Sequence, residues 1–509
     1  MAPERTLGRL AERSWAGFGD FDALYHEGVW HRAHALAERV RGATAGLRRL
    51  GVGPGDRVLV MAANRPEVLI AYRAAWAAGA VVTPVVPLVS ADELAHIVAD
   101  GEPRALVVSA ELLPLVLAAT RDLPVVVTGE APEGEGRVVG FAELEDTPGE
   151  GHVDRDEGDL AALLYTGGTT GRAKGVMLTH AGLWQVSRAA HEVTYRPGVT
   201  RGIIPVPLSH SYGLIVALTA MHSPEPQHTV VMRAFTAKAF LQIATEHRVQ
   251  YGAVVPAMVR DLLDEPLETT PLPDLLYLTC GAAPLGREAI EEFERRMAGV
   301  RLLEGYGLTE TSAVATVNPP DRRKVGSAGP PLPGYTITIR DDDGEPVEPG
   351  DLGEICVHGE PVMRGYWRSP ETTARALVDG ELRTGDIGCV DDDGYLYVVD
   401  RRKDLIIRGG FTIFPRDVED ALNRHPDVAM SGVVGRPDPR LGEEVVAFVR
   451  LRPGATVTAE ALTEWARDRV GRLRHPREIR FVDAIPMTSV LKVDRRELRS
   501  RLARESPTS

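Results

Sequence analysis

Tyr165-Thr166-Gly167-Gly168-Thr169-Thr170-Gly171-Arg172-Ala173-Lys174-Gly175 follows the apolar run 160–164. The run has the length and composition of a buried strand. The loop that ends it holds four glycines, three threonines and a lysine within eleven residues. Glycines let backbone N–H groups turn inward on a close anion, and the hydroxyls and the ammonium add donors. Such a set suits a polyphosphate. A Walker loop would close on Gly-Lys-Ser/Thr; here Ala173 precedes Lys174 and Gly175 follows it, so that pattern fails. A flexible surface loop can share this composition, so the stretch alone leaves its role open.

Outward from the loop, short apolar runs alternate with helical segments. Runs 57–62, 80–85, 105–109 and 125–128 read as strands, and 66–78 and 91–99 as helices. The rhythm resumes with runs at 203–206, 229–232, 252–255 and 276–279. Apolar strands separated by helices imply parallel sheets covered on both faces. The expected class is α/β, with a large N-terminal domain of layered αβ sheets. Residues 21–49 read mainly as one helix, with Trp30, Ala33, Ala37 and Val40 at helical spacing. After about residue 325 the texture changes to short strands around Asp341-Asp342-Asp343-Gly344 and Asp391-Asp392-Asp393-Gly394. Their Asp-Gly tips suit hairpins and mark a β subdomain. These acidic runs lack the spacing of a calcium-binding loop. The charged break Asp400-Arg401-Arg402-Lys403-Asp404 separates residues 1–400 from a small α+β C-terminal domain, 404–509.

The chain has 509 residues, two to four units at roughly 150 residues each. With 44% hydrophobic and 26% charged residues, disordered, collagen-like and coiled-coil readings are poor. There are 58 basic and 72 acidic residues, a net charge of −14. That surface repels a phosphate backbone, so no nucleic-acid partner is expected. Cys280, Cys356 and Cys389 form no C-x-x-C pair, which argues against a disulfide framework or a cysteine zinc site. Met1-Ala2-Pro3-Glu4-Arg5 has no apolar signal-peptide core, and no apolar run reaches the length of a membrane span. A cytoplasmic protein without a membrane span is expected.

Further stretches complete the pattern. They are Pro207-Leu208-Ser209-His210-Ser211-Tyr212-Gly213, Gly281-Ala282-Ala283-Pro284, Tyr306-Gly307-Leu308-Thr309-Glu310 and Thr384-Gly385-Asp386. Asp400-Arg401 through Gly409-Gly410, Gly435-Arg436-Pro437-Asp438, Gly442-Glu443 and Pro486 through Lys492 follow. In these motifs and their order the chain resembles the adenylate-forming superfamily, which holds acyl-CoA synthetases, luciferases and peptide-synthetase adenylation domains. The resemblance implies ATP-dependent activation of a carboxylic acid, or another small oxyacid, as an adenylate with release of pyrophosphate. It also implies Mg²⁺ and, as acceptor, CoA. A carrier-protein thiol, an amine, nitrite activation with diazotisation of an aromatic amine, and a non-catalytic nucleotide-binding relative stay open.

Residue by residue, the resemblance implies that Thr166, Gly167, Gly168, Thr169, Thr170, Gly171 and Lys174 cradle the phosphates. Thr166 and Glu310 would hold Mg²⁺, a hard cation that keeps several waters and takes few protein carboxylates. Gly281, Ala282 and Ala283 leave room for adenine and Tyr306 stacks on it, with Glu304, Gly305 and Gly307 beside the nucleotide. Thr309 reaches the α-phosphate, and Asp386 and Arg401 reach the ribose. Lys492, with His210 and Lys174, forms the catalytic set. Lys492 would offset charge building between the α-phosphate and the carboxylate once the mobile C-terminal domain closes. His210 borders the carboxylate pocket. The hinge is 401–403, pivoting at Lys403, and Gly409 and Gly410 lie beside the pantetheine passage.

The chain also departs from the family pattern. Gly167 replaces a serine, Ala173 a proline, and Val490-Leu491-Lys492 replaces Ser-Gly-Lys. Leucine does not readily take a positive-φ glycine conformation, so the lysine loop is expected to have another shape. That bears more on thioester formation than on adenylation. The candidate pocket liners His210, Tyr212, Val254, Val255, Pro256, Gly281 and Gly305 are mostly apolar or small. They fit a fatty, aryl or small organic acid.

Overall fold

In the computed structural model the apolar run before the glycine-rich loop is the strand Leu160–Thr166. The structure describes residues 5–120, 122–129, 131–132, 136–149, 152–166, 172–270, 272–488 and 492–505. The chain divides into two units.

The first unit comprises Met1–Leu285, Ala289–Ile337 and Val357–Leu382. One of its sheets has the order Gly365–Tyr366, Lys174–Thr179, Leu160–Thr166, Val81–Pro84, Arg57–Met61, Pro103–Ser109, Val125–Thr128, Val138–Gly140. From Leu160–Thr166 to Val138–Gly140 the neighbours are parallel. Val58, Val60, Leu106, Val107, Val126 and Val127 are almost fully buried, as strands covered on both faces require. On one face Leu59, Met61, Leu106, Val108, Val125 and Val127 pack against Leu94, Ile97, Leu113 and Val116.

The other sheet has the order Thr316–Val317, Arg301–Tyr306, Tyr277–Cys280, Tyr251–Val254, Arg201–Ile204, His228–Val231, Asp22–His26, Val29–Arg32. Its interior neighbours are parallel and the two edge pairs antiparallel. Residues 21–49 are therefore not one helix. Asp22–His26 and Val29–Arg32 form a hairpin, and the helix is Ala33–Arg49. Glu27 and Gly28 turn the hairpin with φ of 43° and 91°, the positive-φ pair that matches the twist of adjoining strands. Trp30 lies opposite Tyr25, ring centroids 5.4 Å apart. A strand residue running into a helix had imitated helical spacing.

The second unit comprises Gly286–Glu288, Thr338–Cys356 and Arg383–Ser509. In its strand Gly442–Leu451 alternate residues serve opposite faces. Val445, Ala447 and Val449 join Val418, Leu422, Leu462 and Ala466 in one core. Val446 and Phe448 join Ile485, Leu498 and Leu502 in another. The strand's two-residue period thus places helices Pro415–Asn423 and Ala459–Arg474 on one side and Arg495–Glu505 on the other. The class is α/β with a small α+β C-terminal domain. Cys280, Cys356 and Cys389 stand outside any disulfide. Among the described residues no helix is long and apolar enough to cross a membrane.

One buried imidazole makes the first unit sensitive to acid. His180 starts the helix His180–Thr194 with no exposed surface. Its Nδ1 accepts from Leu7 N–H at 3.2 Å. Burial, first of all, pushes its pKa down to about 4 from 6.5. The native imidazole stays neutral where the unfolded one protonates. The stability involved is complete above pH 6.5 and is lost as pH falls towards 4. We expect a loss of up to about 3 kcal/mol over that window, measured by denaturant melts. His180→Gln should flatten the slope; equal slopes in the two proteins would refute the assignment.

Candidate active site

Thr166 and Lys174 face each other across the paired strands Leu160–Thr166 and Lys174–Thr179. The sheet therefore clamps both ends of the glycine-rich loop. Gly167, Gly168, Thr169, Thr170 and Gly171 lie outside the described residues. Lys174 Nζ lies 5.2 Å from the centroid of the Tyr366 ring, within cation–π range. Tyr366 belongs to the short strand Gly365–Tyr366, which pairs with Lys174–Thr179. Its hydroxyl donates to Glu310 Oε1 at 2.9 Å. Burial, and then the adjoining carboxylate, pushes the phenol far up, so it stays a donor at any working pH.

Glu310 sits in the 3₁₀ turn Thr309–Thr311, just beyond the strand Arg301–Tyr306. A Cβ at Gly307 would lie 2.2 Å from Ala313 O, so the turn closes only over a glycine. Leu308 N–H donates to Thr311 Oγ1 at 2.9 Å. Ser312 and Ala313 have φ of 52° and 85°, conformations that cost a non-glycine residue roughly 1–3 kcal/mol. Ala282, in the candidate adenine segment, has φ of 73°. Strain held by its surroundings at such positions is a mark of functional sites. Thr309 Oγ1 donates to Ser211 Oγ at 3.3 Å.

Ser211 begins the helix Ser211–Ala220, and the preceding loop is held from the other sheet. Asn64 Nδ2 donates to Val206 O at 2.8 Å, and Leu208 N–H donates to Asn64 Oδ1 at 2.7 Å. A Cβ at Gly213 would lie 2.0 Å from Pro207 O, which explains the glycine. His210 caps the helix, its Nδ1 accepting from Tyr212 N–H at 3.2 Å. A neutral His210 therefore carries its proton on Nε2. The buried Tyr212 hydroxyl bonds Thr279, 3.1 Å from the carbonyl and 2.9 Å from Oγ1.

Strands Tyr277–Cys280 and Arg301–Tyr306 are parallel, with Cys280 opposite Glu304. Gly281 follows one, and Gly305 lies near the end of the other. A Cβ on Gly281 would lie 3.4 Å from Gly305 O and 4.0 Å from Tyr212 Cζ. Gly281 thus lies beside Tyr212 at the carboxyl ends of parallel strands, where open α/β sheets bind ligands. Glu304 is tied to the scaffold, accepting from Gly326 N–H at 2.8 Å. Tyr306 N–H donates to Thr316 Oγ1 at 3.2 Å.

The remaining candidates lie in the second unit. Asp386 and Arg401 face each other on adjacent antiparallel strands, Arg401 Nε 3.0 Å from Asp386 Oδ1. Lys403 lies in the turn Arg402–Asp404, and Gly409 and Gly410 form the tip between Ile406–Arg408 and Phe411–Ile413. Both glycines have positive φ, 58° and 80°. Lys492 N–H donates to Thr488 Oγ1 at 3.2 Å, and Thr488 N–H to Lys492 O at 2.7 Å. These bonds close the lysine loop; Val490 and Leu491 lie outside the described residues.

Two positioning groups carry no sequence motif of their own: Tyr366 and Asn64. A tyrosine in a two-residue strand has no periodicity to betray it. For a metal, the fit is with a hard cation. Glu310 offers one carboxylate, oriented by Tyr366, near the cationic Lys174. Among the described residues no group of three or more His, Cys, Asp or Glu could hold a metal ion. A Mg²⁺ ion held chiefly by water and phosphate oxygens needs no such group.

Paired strands at both ends of a glycine-rich loop and a carboxylate oriented by a phenol suit a nucleotide-binding α/β enzyme. A family model described as AMP-binding enzyme matches residues 11–367, and one described as AMP-binding enzyme C-terminal domain matches 417–492. The chain belongs to the AMP-binding enzyme family and is an adenylate-forming, AMP-releasing ligase. It is 36% identical over 488 residues to a feruloyl-CoA synthase of Amycolatopsis sp, covering 94% of this chain and 95% of the relative. It is 32% identical to a long-chain-fatty-acid–CoA ligase of Bacillus subtilis, covering 97% and 94%. The solved amide bond synthetase McbA from Marinactinospora thermotolerans superposes with a TM-score of 0.86 at 31% identity, covering 97% and 99%.

The Tyr366–Glu310 bond yields a direct test. Tyr366→Phe should raise the Mg²⁺ concentration needed for half-maximal adenylation by about tenfold, as losses of residues behind a metal ligand do. Thermal stability should barely move. A Mg²⁺ titration of pyrophosphate release that matches wild type would rule out the positioning role.

Proposed function

We propose that this protein uses ATP and Mg²⁺ to activate an apolar carboxylic acid, an aryl acid above all, and transfers the acyl group to CoA. The observation that carries the reading is the line Lys174–Tyr366–Glu310, with Thr309 and Ser211 hydrogen-bonded beside it. The small or aromatic residues Gly281, Gly305 and Tyr212 support a flat substrate, and the CoA ligase and synthetase among the relatives support the class.

In the first step a carboxylate oxygen attacks the α-phosphorus and the bond to pyrophosphate breaks. Residues 166–171 and Lys174 hold the phosphates, and Lys492 offsets charge at the reacting oxygens. Bound Mg²⁺, held by Glu310 and Thr166, would supply further neutralisation of the phosphate oxygens. Adenine lies against Gly281–Ala283 and Tyr306, flanked by Glu304, Gly305 and Gly307, and the ribose on Asp386 and Arg401. His210 borders the acid. In the second step the CoA sulfur attacks the acyl carbon, AMP leaves, and the thiol proton goes to solvent. The large domain is 1–400 and the small one 404–509; the chain turns about 401–403 at Lys403 between the steps, and the thiol passes Gly409 and Gly410. The cytoplasm supplies both cosubstrates.

A second reading, an amine acceptor, is favoured by the replacement of Ser-Gly-Lys with Val490-Leu491-Lys492 and by the likeness to an amide bond synthetase. Mass-spectrometric screening of products with CoA or amines separates the two.

Lys492→Ala should lower ATP–pyrophosphate exchange by about 10²–10³-fold, the size expected for losing one stabilising charge. Thioester formation from supplied acyl-adenylate should persist; unchanged exchange would defeat the assignment. Gly410→Leu places a side chain at an exposed tip and strains its backbone, which has φ of 80°. It should spare exchange and block thioester formation, and survival of both half-reactions would exclude passage of the thiol there.

A further inference from the structure

Arg73 lies in the helix Pro66–Ala77 and is only 5% exposed. Its Nη1 donates to Ala11 O at 2.9 Å and to Ser14 Oγ at 2.7 Å. The guanidinium carbon sits 3.4 Å from the centroid of the Trp15 ring. Its Nε is buried without a hydrogen-bond partner. No carboxylate among the described residues pairs with it, and burial alone acts on its charge. A buried, uncompensated guanidinium is costly, yet nothing in adenylation uses it.

Beside Arg73 lies a cavity of about 40 Å³, lined by Ser14, Trp15, Phe18, Phe21, Leu69 and Met221. That is room for a small ion rather than a single water. Glu225 also borders the cavity, but its carboxylate accepts from the Tyr195 hydroxyl at 2.9 Å and Gly198 N–H at 3.1 Å. Ala217 and Ala220, late in the helix Ser211–Ala220, border the cavity too. His210 caps the other end of that helix, about 15 Å away along its axis. The cavity is therefore not the candidate acid pocket.

We propose that this cavity is a second ligand site, for a small monocarboxylate of acetate or propionate size. The carboxylate pairs with the Arg73 guanidinium at Nη2, the arm that the hydrogen bonds to Ala11 and Ser14 leave unused. The short alkyl end lies against Trp15, Phe18 and Phe21. This site stands whatever acid the catalytic centre activates.

The test is thermal unfolding at neutral pH in acetate, propionate or chloride at equal ionic strength. Saturating acetate or propionate should raise the melting temperature by roughly 2–4 °C, and chloride should not. Ala220→Phe fills the cavity and leaves the Arg73 hydrogen bonds in place; it should abolish the rise. Arg73→Met should abolish it too, and if that variant fails to fold, Ala220→Phe decides alone. An equal rise in chloride, no rise in any salt, or a full rise in Ala220→Phe overturns the proposal.

Discussion

In this protein one phenol contacts both a carboxylate and an ammonium. Tyr366 donates to Glu310 and turns its ring face to Lys174, so one side chain meets an anion and a cation. Much of the site follows from where that ring is placed. Met363 N–H donates to Glu310 O at 2.8 Å, so the short segment 363–366 grips Glu310 by backbone and side chain. Tyr366 N–H donates to Thr373 Oγ1 at 2.9 Å, and Trp367 N–H to Gly175 O at 2.7 Å. Trp367 Nε1 reaches Asp100 O at 3.0 Å, and Asp100 also accepts from Tyr165 at 2.6 Å. The strands on both sides of the glycine-rich loop are thereby latched to the residue that orients Glu310.

Some of the chain's backbone strain falls in the same region. Ala282, Ser312 and Ala313 all hold positive φ without being glycine. Ser312 and Ala313 are held by hydrogen bonds to fixed backbone. Ser312 Oγ donates to Pro361 O at 2.6 Å, and Ala313 N–H to Leu308 O at 2.9 Å. The turn carrying Glu310 is thus fixed before any ligand arrives. Electrostatic catalysis depends on that, because groups already in place need no reorganisation in the transition state.

Legibility followed the kind of physics each residue uses. Interior strands such as 57–61 and 105–109 were plain because both faces are buried and the run is apolar throughout. The hairpin at 22–32 was hidden because Glu27-Gly28 is an unobtrusive turn and Trp30 falls in phase with the helix behind it. Motif glycines could be read for a reason the structure supplies: at Gly213 and Gly307 a Cβ would collide with backbone oxygen. Asn64 and Tyr366 could not be read, since they act on groups far away in sequence. Asn64 holds the backbone at 206–208 from a different sheet. No local pattern records such a partnership.

The lysine loop raises a related problem of position. A single cation on a loop is useful only if its anchor is stiff, and Lys492 is followed at once by a charged anchor. Arg495 makes a two-pronged contact with Glu419, at 2.9 and 2.8 Å, and Arg499 meets Asp404 at 2.9 Å. Glu419 also accepts from Val433 N–H at 2.8 Å. Burial pushes its carboxyl up while Arg495 pulls it back. Buried pairs of this kind add little net stability against an apolar pair of the same shape, but breaking one is costly. Their effect is to fix one arrangement. Asp404 adjoins Lys403, so the pairs tie the helix behind Lys492 to the turn 402–404 within one unit. Whatever shape Val490 and Leu491 impose on the loop tip, its base is held by charge rather than by the missing glycine.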